Sequence, residues 1–150
     1  MKDYFSDLYT YNLWGSKKIL HSLIENQINL EKTTYWMSHI INAETIWLDR
    51  ILEGKTTTGV HTLYPLEECE QRLEIENERY LSFLEVVEQD FFQKIISYQN
   101  SKGALYSSKV VDILAHVINH STHHRAHISV KIRESGFTPP ATDYIFFTRS

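Results

Sequence analysis

The sequence predicts an all-α fold: a four-helix bundle with a small β-hairpin before the last helix. Three observations carry that expectation. Apolar residues recur at helical spacing in four stretches, Gly- and Pro-bearing segments separate them, and one Gly-bearing turn lies between two short β-prone runs. With 150 residues, the chain is long enough for one domain with a single core, residues 1–150, and short for two.

The first helix is expected from about Asp3 to Leu23, where Phe5, Leu8, Tyr9, Asn12, Ile19, Leu20 and Leu23 share a face. Gly15 lies inside it. A glycine there costs about 1 kcal/mol against alanine, so it marks close packing or a bend. The second helix is expected from about Thr33 to Leu52, closed by Gly54 and followed by a loop, Lys55 to Gly59. Pro65 suits the first turn of the third, with Glu67, Glu68 and Glu70 near its positive end. Leu66, Cys69, Leu73, Tyr80, Leu84 and Val87 make that helix's apolar stripe. Ile95 to Gln99 and Ala104 to Tyr106 flank the turn Asn100-Ser101-Lys102-Gly103 and form the hairpin. Ser107 or Ser108 is the expected cap of the fourth helix, which runs to about Glu134 and is stopped by Gly136, Pro139 and Pro140. The tail, with Tyr144-Ile145-Phe146-Phe147, is expected to fold back on the bundle, since otherwise those side chains stand in water.

Composition narrows the function classes. The net charge of −4 and the lack of any basic stripe argue against nucleic acid as a partner. Acids at Asp3 and Asp7 argue against a signal peptide, and no apolar run approaches the ~18 residues of a membrane span. A single cysteine, Cys69, cannot form an internal disulfide and fits a reducing compartment, so the cytoplasm is expected.

Eight histidines are the compositional oddity, and five of them fall between residues 116 and 127. Residues four apart on a helix lie one turn above each other on one face, so their imidazoles can converge on one ion. On the fourth helix Val110, Ile113, Leu114, Val117 and Ile128 define the inward stripe. His120 and His124 flank it, His127 lies further out, and His116 and His123 further still. His120/His124 is therefore the best-placed chelating pair. Chance pairs at this spacing occur, and a site needs a third ligand. His39 supplies one, beside the second helix's stripe of Trp36, Ile40, Ala43, Trp47 and Ile51. Three imidazoles suit zinc or nickel.

Glu44 falls within that same apolar stripe, and Arg125 is off the polar side of the fourth helix. A buried carboxylate needs a partner. Arg125 is the natural one, either as a structural ion pair or as support for the metal ligands, a role His116 and His127 could share.

These residues carry a resemblance to a known family. Tyr11-Asn12-Leu13-Trp14, His39-Ile40-Ile41-Asn42-Ala43-Glu44, Leu114-Ala115-His116-Val117-Ile118-Asn119-His120, His123-His124-Arg125 and Gly136-Phe137-Thr138-Pro139-Pro140 together resemble the DinB family of metal-binding four-helix bundles. That family includes bacillithiol-type S-transferases. It commonly carries Gly-Gln after the fourth-helix His-Arg, where this chain has Ala126-His127. The resemblance implies a DinB-like bundle, often a homodimer, with one metal ligand from the second helix and two from the fourth: His39, His120 and His124.

The function implied is a metal-dependent transferase that uses a low-molecular-weight thiol as cosubstrate and a small molecule as substrate. Three protein ligands leave open positions, the arrangement of catalytic rather than structural zinc. The runner-up is a metal-dependent hydrolase. A non-catalytic metal-binding stress protein is the third reading.

Overall fold

The computed structural model describes residues 1–56, 58–100 and 102–149. Thr57 and Ser101, which the sequence assigns to the loop after the second helix and to the hairpin turn, lie outside the described residues. So does Ser150.

Four long helices pack together: α1 (Lys2–Glu25), α2 (Glu31–Ile51), α3 (Leu66–Val86) and α4 (Val110–Glu134). Between α3 and α4 come a 3₁₀ turn (Gln89–Gln93) and an antiparallel pair, β1 (Ile95–Gln99) and β2 (Leu105–Lys109), with Ile95 opposite Lys109 and Gln99 opposite Leu105. A short helix, α5 (Tyr144–Phe147), ends the chain. Among the described residues, no helix is long and apolar enough to cross a membrane.

Two expected boundaries move. Neither Ser107 nor Ser108 caps α4, because both hydroxyls are committed across the hairpin: Ser107 to Ser97 and Ser108 to the Tyr98 hydroxyl, each at 3.0 Å. The strand instead runs straight into the helix at Lys109, and the Val110 N–H donates to the Lys94 carbonyl at 3.0 Å. At the end of α2 the left-handed position belongs to Glu53 (φ 55°), one residue before Gly54, whose N–H then donates to the Asp49 carbonyl at 2.8 Å. At the end of α4 glycine does take that role: Gly136, at φ 91°, lets the chain reverse and the Phe137 N–H reach the Ile132 carbonyl.

Helix α1 packs chiefly on α3 and α4, and α2 on the same two, so α1 and α2 face each other across the bundle. The interior holds two apolar clusters. One is built around Phe5, Tyr9, Leu48, Tyr80, Phe92, Val110 and Val117, and the other around Ile19, Leu23, Met37, Ile40, Leu73, Ile128 and Ile132. A buried polar layer lies between them in the chain order of every long helix: Asn12 and Ser16 on α1, Glu44 on α2, Glu76 on α3, Ser121 and Arg125 on α4.

Gly15 is explained by that layer. A Cβ there would meet Arg125 Nε at 3.1 Å, so the missing side chain is the room the guanidinium occupies. The tail folds back as expected on one side only. The Tyr11 hydroxyl donates to the Thr142 carbonyl at 2.9 Å, and the Tyr11 ring meets Tyr144 at 5.1 Å and Phe147 at 5.9 Å. Ile145 and Phe146 remain exposed.

Candidate metal centre

His39 comes from α2, and His120 and His124 from successive turns of α4. Their Nε2 atoms converge. His120 Nε2 lies 3.2 Å from His39 Nε2 and 3.1 Å from His124 Nε2. His39 Nδ1 lies 3.3 Å from the Val60 carbonyl oxygen, which can only accept. That contact places the His39 proton on Nδ1 and turns the Nε2 lone pair toward the other two rings.

Protons alone do not resolve this arrangement. With His39 Nε2 an acceptor, His120 must offer it an N–H, and that same hydrogen then also faces His124 Nε2. One hydrogen would serve two contacts. A cation accepts all three lone pairs at once. Nitrogens ~2.0–2.1 Å from a tetrahedral ion are separated by about 3.3 Å, close to the spacings present. The donor set therefore fits a divalent transition metal that favours imidazole.

Electrostatics favour the metal-binding form of these imidazoles. Burial, then the neighbouring His124 and His39, holds the His120 imidazole down to about 3. Burial, then His39, holds His124 down to about 4, and burial lowers His39 as well. All three shifts favour the neutral ring, the form that binds metal. Aromatic rings fix their orientation: Trp36 stacks on His124 at 4.6 Å and 15°, and Tyr35 lies parallel to His39 at 5.8 Å and 6°. Trp36 and Tyr35 also line a cavity of about 510 Å³ beside the site, together with Lys32, Leu63, His127 and Val130.

The other sequence-predicted residues separate. His116 is exposed, its ring 5.5 Å from His120 and 5.2 Å from Trp47. His127 is half-buried, its ring 5.4 Å from His124 and 5.0 Å from Trp36. Glu44 and Arg125 are both buried, as expected, but the expected direct pairing is replaced by a relay. Asn12 Nδ2 donates to Glu44 Oε1 at 2.7 Å, and Asn12 Oδ1 accepts from Arg125 Nη1 at 2.5 Å. The Ser121 hydroxyl donates to the same Glu44 oxygen at 3.0 Å. Arg125 is further held by the hydroxyls of Tyr11, Ser16 and Thr122. Burial, the dominant cause, pushes the Glu44 carboxyl up to about 7 against the pull of the Asn12 and Ser121 hydrogen bonds.

Sequence reasoning placed Asn12 on the apolar face of α1 without giving it a role. A lone amide among Tyr9, Ile19 and Leu20 was the available sign that Glu44 would have a neutral partner. The Val60 carbonyl, which orients His39, carries no residue-type signal at all.

Comparison with known proteins gives the following matches. The family model described as DinB family matches residues 1–150. Protein DinB of Bacillus subtilis (strain 168) is 29% identical over 172 aligned residues, covering 100% of this chain and 98% of the relative. A second protein of the same organism, "Uncharacterized protein YizA", is 25% identical over 138 residues, covering 88% of this chain and 83% of that protein.

Proposed function

The chain belongs to the DinB family, and from that premise we propose that it is a divalent-metal-dependent thiol S-transferase, with His39, His120 and His124 holding zinc or nickel. One observation carries the metal-binding part of the reading: three Nε2 atoms converge, and protons alone leave one of their two contacts unsatisfied. A divalent ion held there would act as a Lewis acid and keep a thiol cosubstrate in its nucleophilic thiolate form at neutral pH.

The chain's own residues then bind and orient. With three protein ligands, one side of the site is left for cosubstrate. The apolar wall of Trp36, Leu63 and Val130 suits a small organic electrophile, with Lys32 at the rim for an anionic group. His127 on that wall, and His116 beside Trp47, are placed to take or return a proton. The sole cysteine supplies no nucleophile. Cys69 is fully buried, its Sγ 3.3 Å from the Pro65 carbonyl, and burial pushes its thiol up to about 12. The transferred sulfur must come from a separate molecule.

The reading extends to one domain over residues 1–150, a cytoplasmic location, a small-molecule substrate, and neither nucleic acid nor membrane as partner. It also includes a homodimer, for which exposed Ile145, Phe146, Leu105 and Tyr106 offer apolar surface. The test is thiol conjugation to a panel of electrophiles by the full chain, metal-stripped and then reloaded with zinc or nickel. Activity should vanish on stripping, return on reloading, and survive Cys69→Ser. Conjugation that persists without metal contradicts the reading. Metal-dependent turnover of an ester or amide without thiol replaces it with the hydrolase.

A further inference from the structure

The helical positions set His123 and His127 away from the inward stripe, yet the structure gathers them with His124 into a second group. One ring nitrogen from each of His123, His124 and His127 lies within 4.8 Å of the others. The ring centres are 4.4 Å apart for His123 and His127, 5.0 Å for His123 and His124, and 5.4 Å for His124 and His127. His123 and His127 are themselves an i,i+4 pair, so one helix supplies the chelate without help from a neighbour.

His124 belongs to both groups. A neutral imidazole has one lone pair and one N–H, so this ring gives both nitrogens only as an imidazolate, its N–H proton passing to solvent as the second ion binds. Its Nε2 faces His120. Its Nδ1 is buried and has no hydrogen-bond partner among the described residues, and the same is true of His127 Nδ1. Metal-bound histidines ordinarily give their second nitrogen to a carbonyl or carboxylate, as His39 does to Val60. His124 lacks such an acceptor among the described residues, as does His120, although the residue is 8% exposed and its ring is clamped by Trp36. Trp36 also packs on His127 at 5.0 Å, so one indole holds two members of the second group.

We propose that His123, His124 and His127 form a second divalent-metal position, taking an imidazole-preferring ion such as zinc, with the His124 ring bridging the two ions as an imidazolate and releasing one proton to solvent. The proposal rests on the first site in one respect, that His124 commits Nε2 there. The second position binds more weakly, because exposed His123 must be ordered on binding, while His39 and His124 are already held by stacked rings. Its open side adjoins the cavity that His127 lines, where an incoming ligand can complete the coordination.

The test is calorimetric titration of Zn(II) into the tag-free, metal-stripped full chain. Two equivalents should bind, the second at least about tenfold more weakly, the cost of fixing one mobile side chain. His123→Ala/His127→Ala should keep the tight equivalent and lose the weak one, and the single exposed-site variant His123→Ala should weaken it. His39→Ala should weaken the tight equivalent and leave the other in place, which separates failure of this proposal from failure of the first site. Thermal melting of each variant checks that the fold persists. Saturation at one equivalent with Zn(II) in large excess overturns the proposal. So does a second equivalent that survives in the His123→Ala/His127→Ala chain.

Discussion

Asn12, Glu44, Ser121 and Arg125 lie close to His39, His120 and His124, and both sets draw on α2 and α4. The first set is closed but for one atom, Arg125 Nε, which is buried without a partner among the described residues. Glu44 receives two hydrogen bonds on one oxygen, and the Arg125 guanidinium is shared among Asn12, Tyr11, Ser16 and Thr122. The second set is open: its nitrogens point at one another, and His120 Nδ1 and His124 Nδ1 have no partner among the described residues. Buried polar groups that satisfy each other specify a fold, because any other packing would strand them. Polar groups aimed at a common point without satisfying each other specify a ligand.

Breaking each set should therefore give opposite results. The largest effect belongs to the open one. His120→Ala/His124→Ala should lose stoichiometric zinc or nickel by elemental analysis, an affinity loss on the order of 10³-fold or more. Its metal-free stability should change by no more than about 1–2 kcal/mol, the range of an ordinary substitution. Full metal occupancy in that variant would break the comparison.

Arg125→Ala should do the reverse. It leaves Asn12 Oδ1 and three hydroxyls short of a donor and empties a buried side-chain volume, together costing about 3–5 kcal/mol by urea denaturation. The remaining folded protein should still bind metal through three intact imidazoles. An unchanged unfolding midpoint would show that the layer is not closed in the sense argued.

Glu44 sharpens the same point through pH. Its carboxyl sits at about 7 in the folded chain against an ordinary value of 4.5. Between those values the folded chain holds a proton that the unfolded chain releases. This contribution is fully present below about 4.5 and is lost as pH rises to about 7, amounting to about 3 kcal/mol. The metal-free chain also carries the opposite slope of His39, His120 and His124, held low by burial. The quantity to compare is therefore the stability difference between the wild-type chain and Glu44→Gln, which should fall by about 3 kcal/mol from pH 4.5 to 7 in denaturation curves. Glu76, also raised by burial, adds a slope of the same sign as Glu44, and like the histidines it is common to both chains and cancels in the difference. A slope identical in the variant would place the proton elsewhere.

Gly15→Ala should give the smallest effect. Its new Cβ meets Arg125 Nε at 3.1 Å, and the guanidinium is held on several sides. Overpacking of this kind costs about 1–3 kcal/mol, less any gain from alanine's helix propensity, and should leave metal content unchanged. A net stabilisation would mean that Arg125 moves aside freely.

Much of this was legible in the sequence because it is local. The i,i+4 spacing of His120 and His124 survives in the structure, since one helix fixes both, and the stripe Leu66, Cys69, Leu73, Tyr80, Leu84 and Val87 is buried along its length. His39 was legible as a histidine flanking an apolar face. The relay through Asn12 was not, because it joins residues 32 and 113 positions apart, and an amide gives no sign of which charges it will bridge. Capping by Ser107 or Ser108 failed for a related reason: cross-strand partners ten residues away claimed both hydroxyls. The grouping of His123 with His124 and His127 depends on where the rings lean, which positions around a helix axis do not determine.

The central claim, an open three-imidazole centre, is tested most directly by X-ray absorption spectroscopy of the chain loaded with one equivalent of zinc. The predicted spectrum has three histidine nitrogens at about 2.0–2.1 Å plus oxygen from solvent, and gains one sulfur at about 2.3 Å when a low-molecular-weight thiol is added. In His39→Ala the histidine contribution should drop by one. A first shell containing protein sulfur or a fourth protein ligand, unaffected by His39→Ala or by added thiol, would contradict the account.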